Sequence, residues 1–226
     1  MILDLVKLVD KYNLDIKGVL HIGAHFGGEF DIYKKLGIKH MLFFEPIPYV
    51  YEILRSRVGN LAVNCALGNY NGKGEMYIAS NQGMSSSLME PLLHKKQYPQ
   101  ITYNETIQVD VCRLEDILPD PHKYNMINID VEGYALEVFR GAGCIFETID
   151  YIMTEVNNAE LYRGCVLISE LDVFLSGFGF ERVEVDWAGG TWGDAFYIKN
   201  ENTNLYTYLQ EARDSSGVVT QPEAIA

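Results

Sequence analysis

Gly18-Val-Leu-His-Ile-Gly-Ala-His-Phe-Gly-Gly-Glu29 decides the fold of this chain. Its apolar start, Val19 to Ile22, reads as a buried strand entering a glycine turn at Gly23-Ala24. A helix is predicted to begin near Gly27-Gly28 and to run through Phe30, Tyr33 and Leu36 to a stop at Gly37. Strand, small-residue turn and helix N-terminus make a cradle in which backbone N–H groups approach a ligand closely. The next apolar run, His40-Met-Leu-Phe-Phe-Glu-Pro46, ends in an acid. That acid, Glu45, follows Gly23 at close to the roughly 20-residue offset at which a second-strand carboxylate receives ribose hydroxyls. Two landmarks in register predict an adenosine-type cofactor.

The glycine spacing narrows the choice. A dinucleotide site wants G-x-G-x-x-G, but position 25 is His25 and the pattern is Gly23-Ala-x-x-Gly27. No Gly-Lys-Ser/Thr follows, which excludes a phosphate P-loop. Gly-Ala-x-x-Gly resembles the first motif of class I S-adenosylmethionine methyltransferases, in which the glycine turn faces the methionine part of the cofactor. The alternative is a βα turn that needs glycine only for packing.

Composition sets the outer bounds. The 226 residues suit one domain with a sizeable core, and the 48% hydrophobic and 22% charged shares are those of a soluble globular protein. Residues 1–200 are expected to form that domain, with an N-terminal helix at 2–13, a short helix at 201–213 and a flexible tail or linker at 214–226. No run approaches the roughly 18 apolar residues of a membrane span. The N-terminal stretch mixes acids into a helical pattern and is not a signal peptide. Cys65, Cys112, Cys144 and Cys165 lack CxxC spacing and read as free thiols in a reducing compartment, hence a cytoplasmic protein. The net charge of −13 argues against nucleic acid, whose binding rests on Lys and Arg neutralising phosphates, and favours a small or neutral acceptor.

Strand and helix patterns alternate along most of the chain, which predicts an α/β fold with helices on both faces of a mostly parallel sheet. Strands are expected at 18–23, 40–45, 61–66, 74–80, 106–112, 124–130, 151–156, 180–186 and 194–199. Helices are expected at 48–57, 134–140 and 166–176, with a long polar loop at 81–105 carrying one helical turn, whose Ser85-Ser86-Ser87 run is either a mere turn or part of a lid or substrate wall. The last two strands flank Gly189-Gly190 and form an antiparallel hairpin. A Rossmann-like, seven-stranded sheet closed by such a hairpin is the class I methyltransferase arrangement, and a nicotinamide dehydrogenase would not show it.

Several further stretches carry a more specific resemblance, to the FkbM-like methyltransferases. His21-Ile-Gly-Ala-His-Phe-Gly-Gly-Glu29 resembles the family's opening motif, and Phe44-Glu45-Pro46 followed by Pro48 its second-strand signature. Asn81-Gln-Gly-Met-Ser-Ser-Ser-Leu88 is similar to its Ser-Ser-Leu loop. Asp130-Val-Glu-Gly-Tyr-Ala-Leu-Glu-Val-Phe-Arg-Gly-Ala142 resembles its D-x-[EQ]-G block, with Ala135 where the family usually has Glu and the acid displaced to Glu137. Glu155-Val-Asn-Asn-Ala-Glu-Leu-Tyr162 and Gly177-Phe-Gly-Phe180 complete a match over roughly 18–198. The resemblance implies a methyltransferase, with macrolide, sugar or lipopolysaccharide-type hydroxyls as acceptors.

In an open α/β sheet, ligands bind at the carboxyl ends of the strands. The cofactor candidates are therefore His21, Gly23, Ala24, His25, Glu45, Pro46, Ala66, Leu67, Ser86 and Asp130. His21 sits inside a strand, where a hydrogen-bonded core residue is the commoner role. His25, in the loop, reads as a contact to the methionine moiety or the substrate. The catalytic candidates are Asp130, Glu132 and Glu155. Asp130 either meets the methyl-transfer centre or caps the following helix, and Glu132 either binds substrate or lends negative charge to that helix. Glu155 ends an apolar run, where an unpartnered carboxylate is costly. Asp130 and Glu155 with Asn157 are oxygen donors that suit Mg²⁺, although spacing reveals no third carboxylate and a metal is not favoured. Trp187 and Trp192 flank the hairpin turn and either stack on a sugar ring or cover the sheet edge.

The reading that follows is an S-adenosylmethionine-dependent O-methyltransferase of a sugar, glycan or small-molecule hydroxyl, possessed of no membrane span and permitted by its polar end to be one module of a larger polypeptide. The alternative is a non-catalytic cofactor-binding module of the same fold.

Overall fold

The computed structural model describes residues 2–200; the helix and tail expected after residue 200 lie outside the described residues. In chain order the elements are α1 (Leu5–Tyr12), β1 (Gly18–Ile22), α2 (Phe30–Lys35), β2 (His40–Phe44), α3 (Pro48–Val58), β3 (Ala62–Val63), β4 (Ala66–Leu67) and β5 (Gly72–Ile78). Then come α4 (Leu93–Gln97), β6 (Glu105–Cys112), α5 (Leu114–Ile117), β7 (Met126–Ile129), α6 (Ala135–Arg140), β8 (Tyr151–Asn157), α7 (Ile168–Ser176), β9 (Phe180–Ala188) and β10 (Trp192–Lys199).

Seven strands form one sheet in the order β3-β2-β1-β7-β8-β10-β9. Every pairing in it is parallel except those of β10, which runs antiparallel to both β8 and β9. This is the expected α/β sheet with its closing hairpin. The chain leaves β1 toward β2 on one side and returns to β7 on the other, so the crevice between β1 and β7 is the topological switch point.

The sheet is buried on both faces, which is why its strands are near-continuous apolar runs. On one face Val19, Phe43, Met126, Met153 and Phe196 pack with Leu5, Leu8, Tyr33 and Leu54 of α1, α2 and α3. On the other Leu20, Ile22, Ile127, Ile129 and Ile152 pack with Val138, Phe139, Leu171 and Leu175 of α6 and α7. Asp4 starts α1 by accepting from the Val6 and Lys7 amides, and Asn13 ends it in the left-handed region.

Two expectations need correction. The strand expected at 61–66 is broken into β3, which pairs with β2, and β4, which pairs with β6 in a separate three-stranded sheet. Asn64 lies between them, and its side-chain amide donates to the carbonyls of Glu45 and Pro46, turning the chain from one sheet to the other. The second helix starts at Phe30 rather than at the glycines, because Gly27 (φ +69°) closes a turn with its N–H on the Ala24 carbonyl, 2.8 Å away. The segment 81–105 is the expected long loop with one helical turn, α4, and it is held in place. Ser87 bridges Tyr77, Pro91 bridges Tyr162, and Ser85, Ser86 and Ser87 are buried.

Candidate active site

The Gly23 turn is built around a close approach. A Cβ at Gly23 (φ +75°) would stand 1.8 Å from the Asp130 carbonyl oxygen, so a side chain has no room there. The amides of Gly23 and Ala24 both donate to the Phe44 carbonyl at 3.0 Å, tying the turn to the end of β2. One residue further, His25 adopts φ +47° and its N–H donates to Glu45 Oε2 at 3.0 Å. The Ile47 N–H donates to Glu45 Oε1 at 2.8 Å. Each carboxylate oxygen thus keeps a second lone pair for a ligand. Burial pushes the Glu45 carboxyl up to about 7 against these two stabilising amides.

Gly23, His25, Glu45, Pro46, Ala66 and Leu67 line one cleft, with Ser86 on its lid side and Asp130 and Glu132 at its inner end. Met76 of β5 and Tyr134 also wall it. Neither carries a local signal, since both arrive through the small sheet and the turn after β7. Two expected residues stand elsewhere. His21 is 2% exposed and hydrogen-bonded through Nδ1 to the Tyr33 hydroxyl, 3.1 Å away, which also receives the Asn128 side-chain amide at 2.6 Å. Burial holds this imidazole below its ordinary pKa. Ala24 packs in the core beneath α2 and α3. His21 points into the core because β1 is covered on both faces, and Ala24, in the turn beyond β1, is buried against the same cluster.

At the switch point three carboxyl groups converge. One oxygen from each of Asp130, Glu132 and Glu155 lies within 4.8 Å of the others. The Asp130 N–H extends the β1–β7 ladder by donating to the Ile22 carbonyl at 2.9 Å. Glu132 then takes φ +52° and Gly133 φ +89°, folding the chain back so that the Glu132 side chain rejoins Asp130. This fold-back supplies the third carboxylate that spacing alone did not reveal. It is held at both ends: the Tyr162 hydroxyl donates to Glu132 Oε2 at 2.7 Å, and Ser87 Oγ donates to the Glu132 carbonyl at 2.7 Å. Burial and then the Asp130 charge push Glu132 up to about 8. Glu155, hydrogen-bonded to Asp130, is driven well above the usual carboxylate range by burial first and by its acidic neighbours next.

Asp194 extends the cluster and was not foreseen. It faces Glu155 across the β8–β10 pairing, is 1% exposed, and accepts from the Leu3 amide at 3.0 Å and from the Ile2 amide. Asn157, the expected metal partner, follows two residues after Glu155 on the same strand face, buried and with no hydrogen bond to its Oδ1 among the described residues. Such oxygen donors can share protons among themselves or hold a hard cation. Glu137, the displaced acid of α6, is spent at the surface, accepting from Asn69 and Arg140.

A second cleft meets the first at Met84, Asp130 and Glu132. Its other walls include His94, Tyr98, Glu155, Leu161 and Trp192. The two tryptophans of the hairpin therefore part company: Trp192 lines this cleft, while Trp187 packs against the larger core cluster.

Comparison with known proteins fits this geometry. The methyltransferase FkbM domain matches residues 21–182, from the middle of β1 into β9. The chain belongs to the FkbM methyltransferase family. Every residue of the two clefts named above except Trp192 falls inside the matched stretch. Among curated proteins, this FkbM-family chain is similar to the 2-O-methyltransferase NoeI of Sinorhizobium fredii, 26% identical over 159 residues. The match covers 65% of each, so the chain spans just under two thirds of that relative's length. Among solved structures it is similar to the magnesium protoporphyrin IX methyltransferase of Synechocystis (TM-score 0.45, 9% identity, covering 87% of this chain and 76% of that one). It is also similar to a SAM-dependent methyltransferase from Aquifex aeolicus (TM-score 0.42, 11% identity, covering 87% and 90%).

Proposed function

We propose that this chain is an S-adenosylmethionine-dependent O-methyltransferase that acts on a hydroxyl of a sugar, glycan or other small molecule. The observation that carries the reading is the junction of the clefts. A nucleoside-type cleft, with a buried acceptor carboxylate at Glu45, ends at three carboxyl groups that a second cleft reaches from another side.

Glu45 would receive the ribose hydroxyls, and the Gly23 turn with His25 would face the methionine portion. Ser86 would close the cofactor from the lid side. The donor arrives already activated as a sulfonium, so the protein's main task is alignment. The acceptor O–H bond breaks as its proton passes to Asp130. Bound S-adenosylmethionine would supply the methyl group to that oxygen, its sulfonium leaving as a neutral thioether. Glu132 and Glu155, whose burial favours their protonated forms, spare Asp130 two adjacent negative charges and share its proton. A hard cation held by the same three groups would serve instead by lowering the acceptor's pKa, and the reading here prefers the direct base.

The 2-O-methyltransferase relative supports an oxygen acceptor, and the net charge of −13 supports one that is not nucleic acid. No helix among the described residues is long and apolar enough to cross a membrane, and all four cysteines are free, which supports a cytoplasmic setting. Calorimetric titration with S-adenosylmethionine, S-adenosylhomocysteine and NAD tests the cofactor, and mass spectrometry of hydroxyl acceptors for the gain of one methylene tests the transfer. Binding of the first two without turnover on any acceptor would point to a non-catalytic module. Binding of NAD alone would end the methyltransferase reading.

A further inference from the structure

We infer that the second cleft is the acceptor subsite and that it selects an uncharged saccharide ring, which rests against Trp192 with its hydroxyls turned toward Asp130, Glu132 and Glu155. The inference rests on the methyltransferase reading above and specifies its acceptor. Three independent features of the cleft lead to it.

The first is placement. In-line transfer needs donor and acceptor on opposite sides of the travelling methyl group. The two clefts share Met84, Asp130 and Glu132 and otherwise have separate walls, so a molecule in each would meet at the carboxyl groups.

The second is charge. Among the described residues the lining of this cleft contains three carboxyl groups and no lysine or arginine. His94, its one basic side chain, is 4% exposed, bonded through Nδ1 to the Tyr103 hydroxyl at 2.9 Å, and held below its ordinary pKa by burial. A phosphorylated or carboxylated acceptor would find no counter-charge there, which is discrimination by a charge left unpaired. A neutral polyol would find oxygen acceptors for its hydroxyl protons.

The third is a rigid aromatic wall. Trp192 Nε1–H donates to the Tyr98 hydroxyl at 2.8 Å, and Thr191 Oγ1 donates to Gln97 Oε1 at 2.9 Å. These bonds stitch the hairpin turn to α4 and fix the indole before any ligand arrives. Met84 and Leu161 complete an apolar surface beside it. One apolar wall with a few convergent polar groups is the pattern of a small-molecule site, and the C–H face of a pyranose ring supplies the matching apolar surface.

The test titrates the protein, saturated with S-adenosylhomocysteine, with the methyl glycosides of glucose, galactose and mannose and with their uronate and 6-phosphate counterparts. At least one neutral glycoside should bind, and its anionic counterparts should bind about tenfold more weakly or worse, equivalent to about 1.4 kcal/mol. Trp192→Ala should weaken that neutral glycoside by a similar factor, Trp192→Phe should retain most of the affinity, and S-adenosylhomocysteine affinity should be unchanged in both. Equal or tighter binding of the anionic forms, no binding by any neutral glycoside, or unaltered glycoside affinity in a folded Trp192→Ala protein would each overturn the assignment. The charge comparison uses the parent protein alone and stands even if Trp192→Ala does not fold. Failure of S-adenosylhomocysteine to bind the parent protein is a separate result, and it would remove the methyltransferase reading together with this one.

Discussion

Asp194 and Glu155 stand directly opposite one another in the antiparallel register of β10 with β8, both buried, two acids side by side in the floor of the site. Each is pushed upward, first by burial and then with the help of acidic neighbours. Glu132 and Glu45 are raised as well, to about 8 and about 7. A carboxyl whose folded pKa is raised keeps its proton in the folded protein after the unfolded chain has released it. Stability is then full below the unfolded range of about 4 and is lost as pH climbs through the folded values. Each such group adds a slope of about 1.4 kcal/mol per pH unit within its window. The ligand-free protein should melt at a clearly lower temperature at pH 8.5 than at pH 5.5, and Asp194→Asn should flatten that dependence. A melting temperature that rises over this interval would show that the cluster is compensated by something other than protons.

Glu45 carries the cofactor prediction. Replacing it with Ala removes the acceptor of two backbone amides and of the proposed ribose hydroxyls, a loss of about 1–3 kcal/mol of binding free energy for each buried group left unpaired. Calorimetry should therefore show S-adenosylhomocysteine binding weakened by roughly tenfold or more. Glu45→Gln, which keeps one acceptor oxygen, should fall between. Parent-like affinity in folded Glu45→Ala protein would disprove the ribose assignment.

Asp130 carries the catalytic one. Asp130→Asn preserves shape and removes the base, so kcat should drop by about 10²–10⁴-fold while cofactor binding survives. A purely structural Asp130 predicts near-normal turnover for the same variant. Activity of the parent enzyme should persist through exhaustive chelation with EDTA. Loss of activity that only added Mg²⁺ restores would transfer the role from direct base to bound cation.

The lid should divide into two parts under hydrogen exchange. Ser85 to Ser87 are anchored by the Tyr77–Ser87 bridge, by Ser86 Oγ accepting from the Ala79 amide, and by Ser87 Oγ on Glu132. These amides should be protected even without ligand. Gln82 and Met84 are exposed, and the Gln82 carbonyl bonds His25 Nε2 at 2.9 Å. Exchange in 82–84 should slow when cofactor and acceptor are both present, and equal exchange in the two states would count against closure there.

What could be read from the sequence was what local chemistry determines. Gly23 and Glu45 announce themselves because a tight turn and a strand-end acid leave short, fixed patterns. For His21 the sequence leaves core and cofactor roles open, because a strand buried on both faces shows no alternation to say which way a side chain points; the structure bonds it to Tyr33 in the core. Glu132 was visible as an acid, but its return to Asp130 depends on a positive φ that only the folded turn reveals. Asp194 and the Trp192–Tyr98 bond are products of strand register and of a contact between residues 94 positions apart, and no window of sequence contains them. The break at Asn64 was missed for the same reason: a side-chain amide with distant carbonyl partners overrode a run of good strand formers.

The two clefts touch at three residues and otherwise have their own walls. Under the proposed chemistry, spent thioether and methylated product rest against different walls. The walls of donor and acceptor can therefore be altered one at a time, each side of the reaction changed without touching the other.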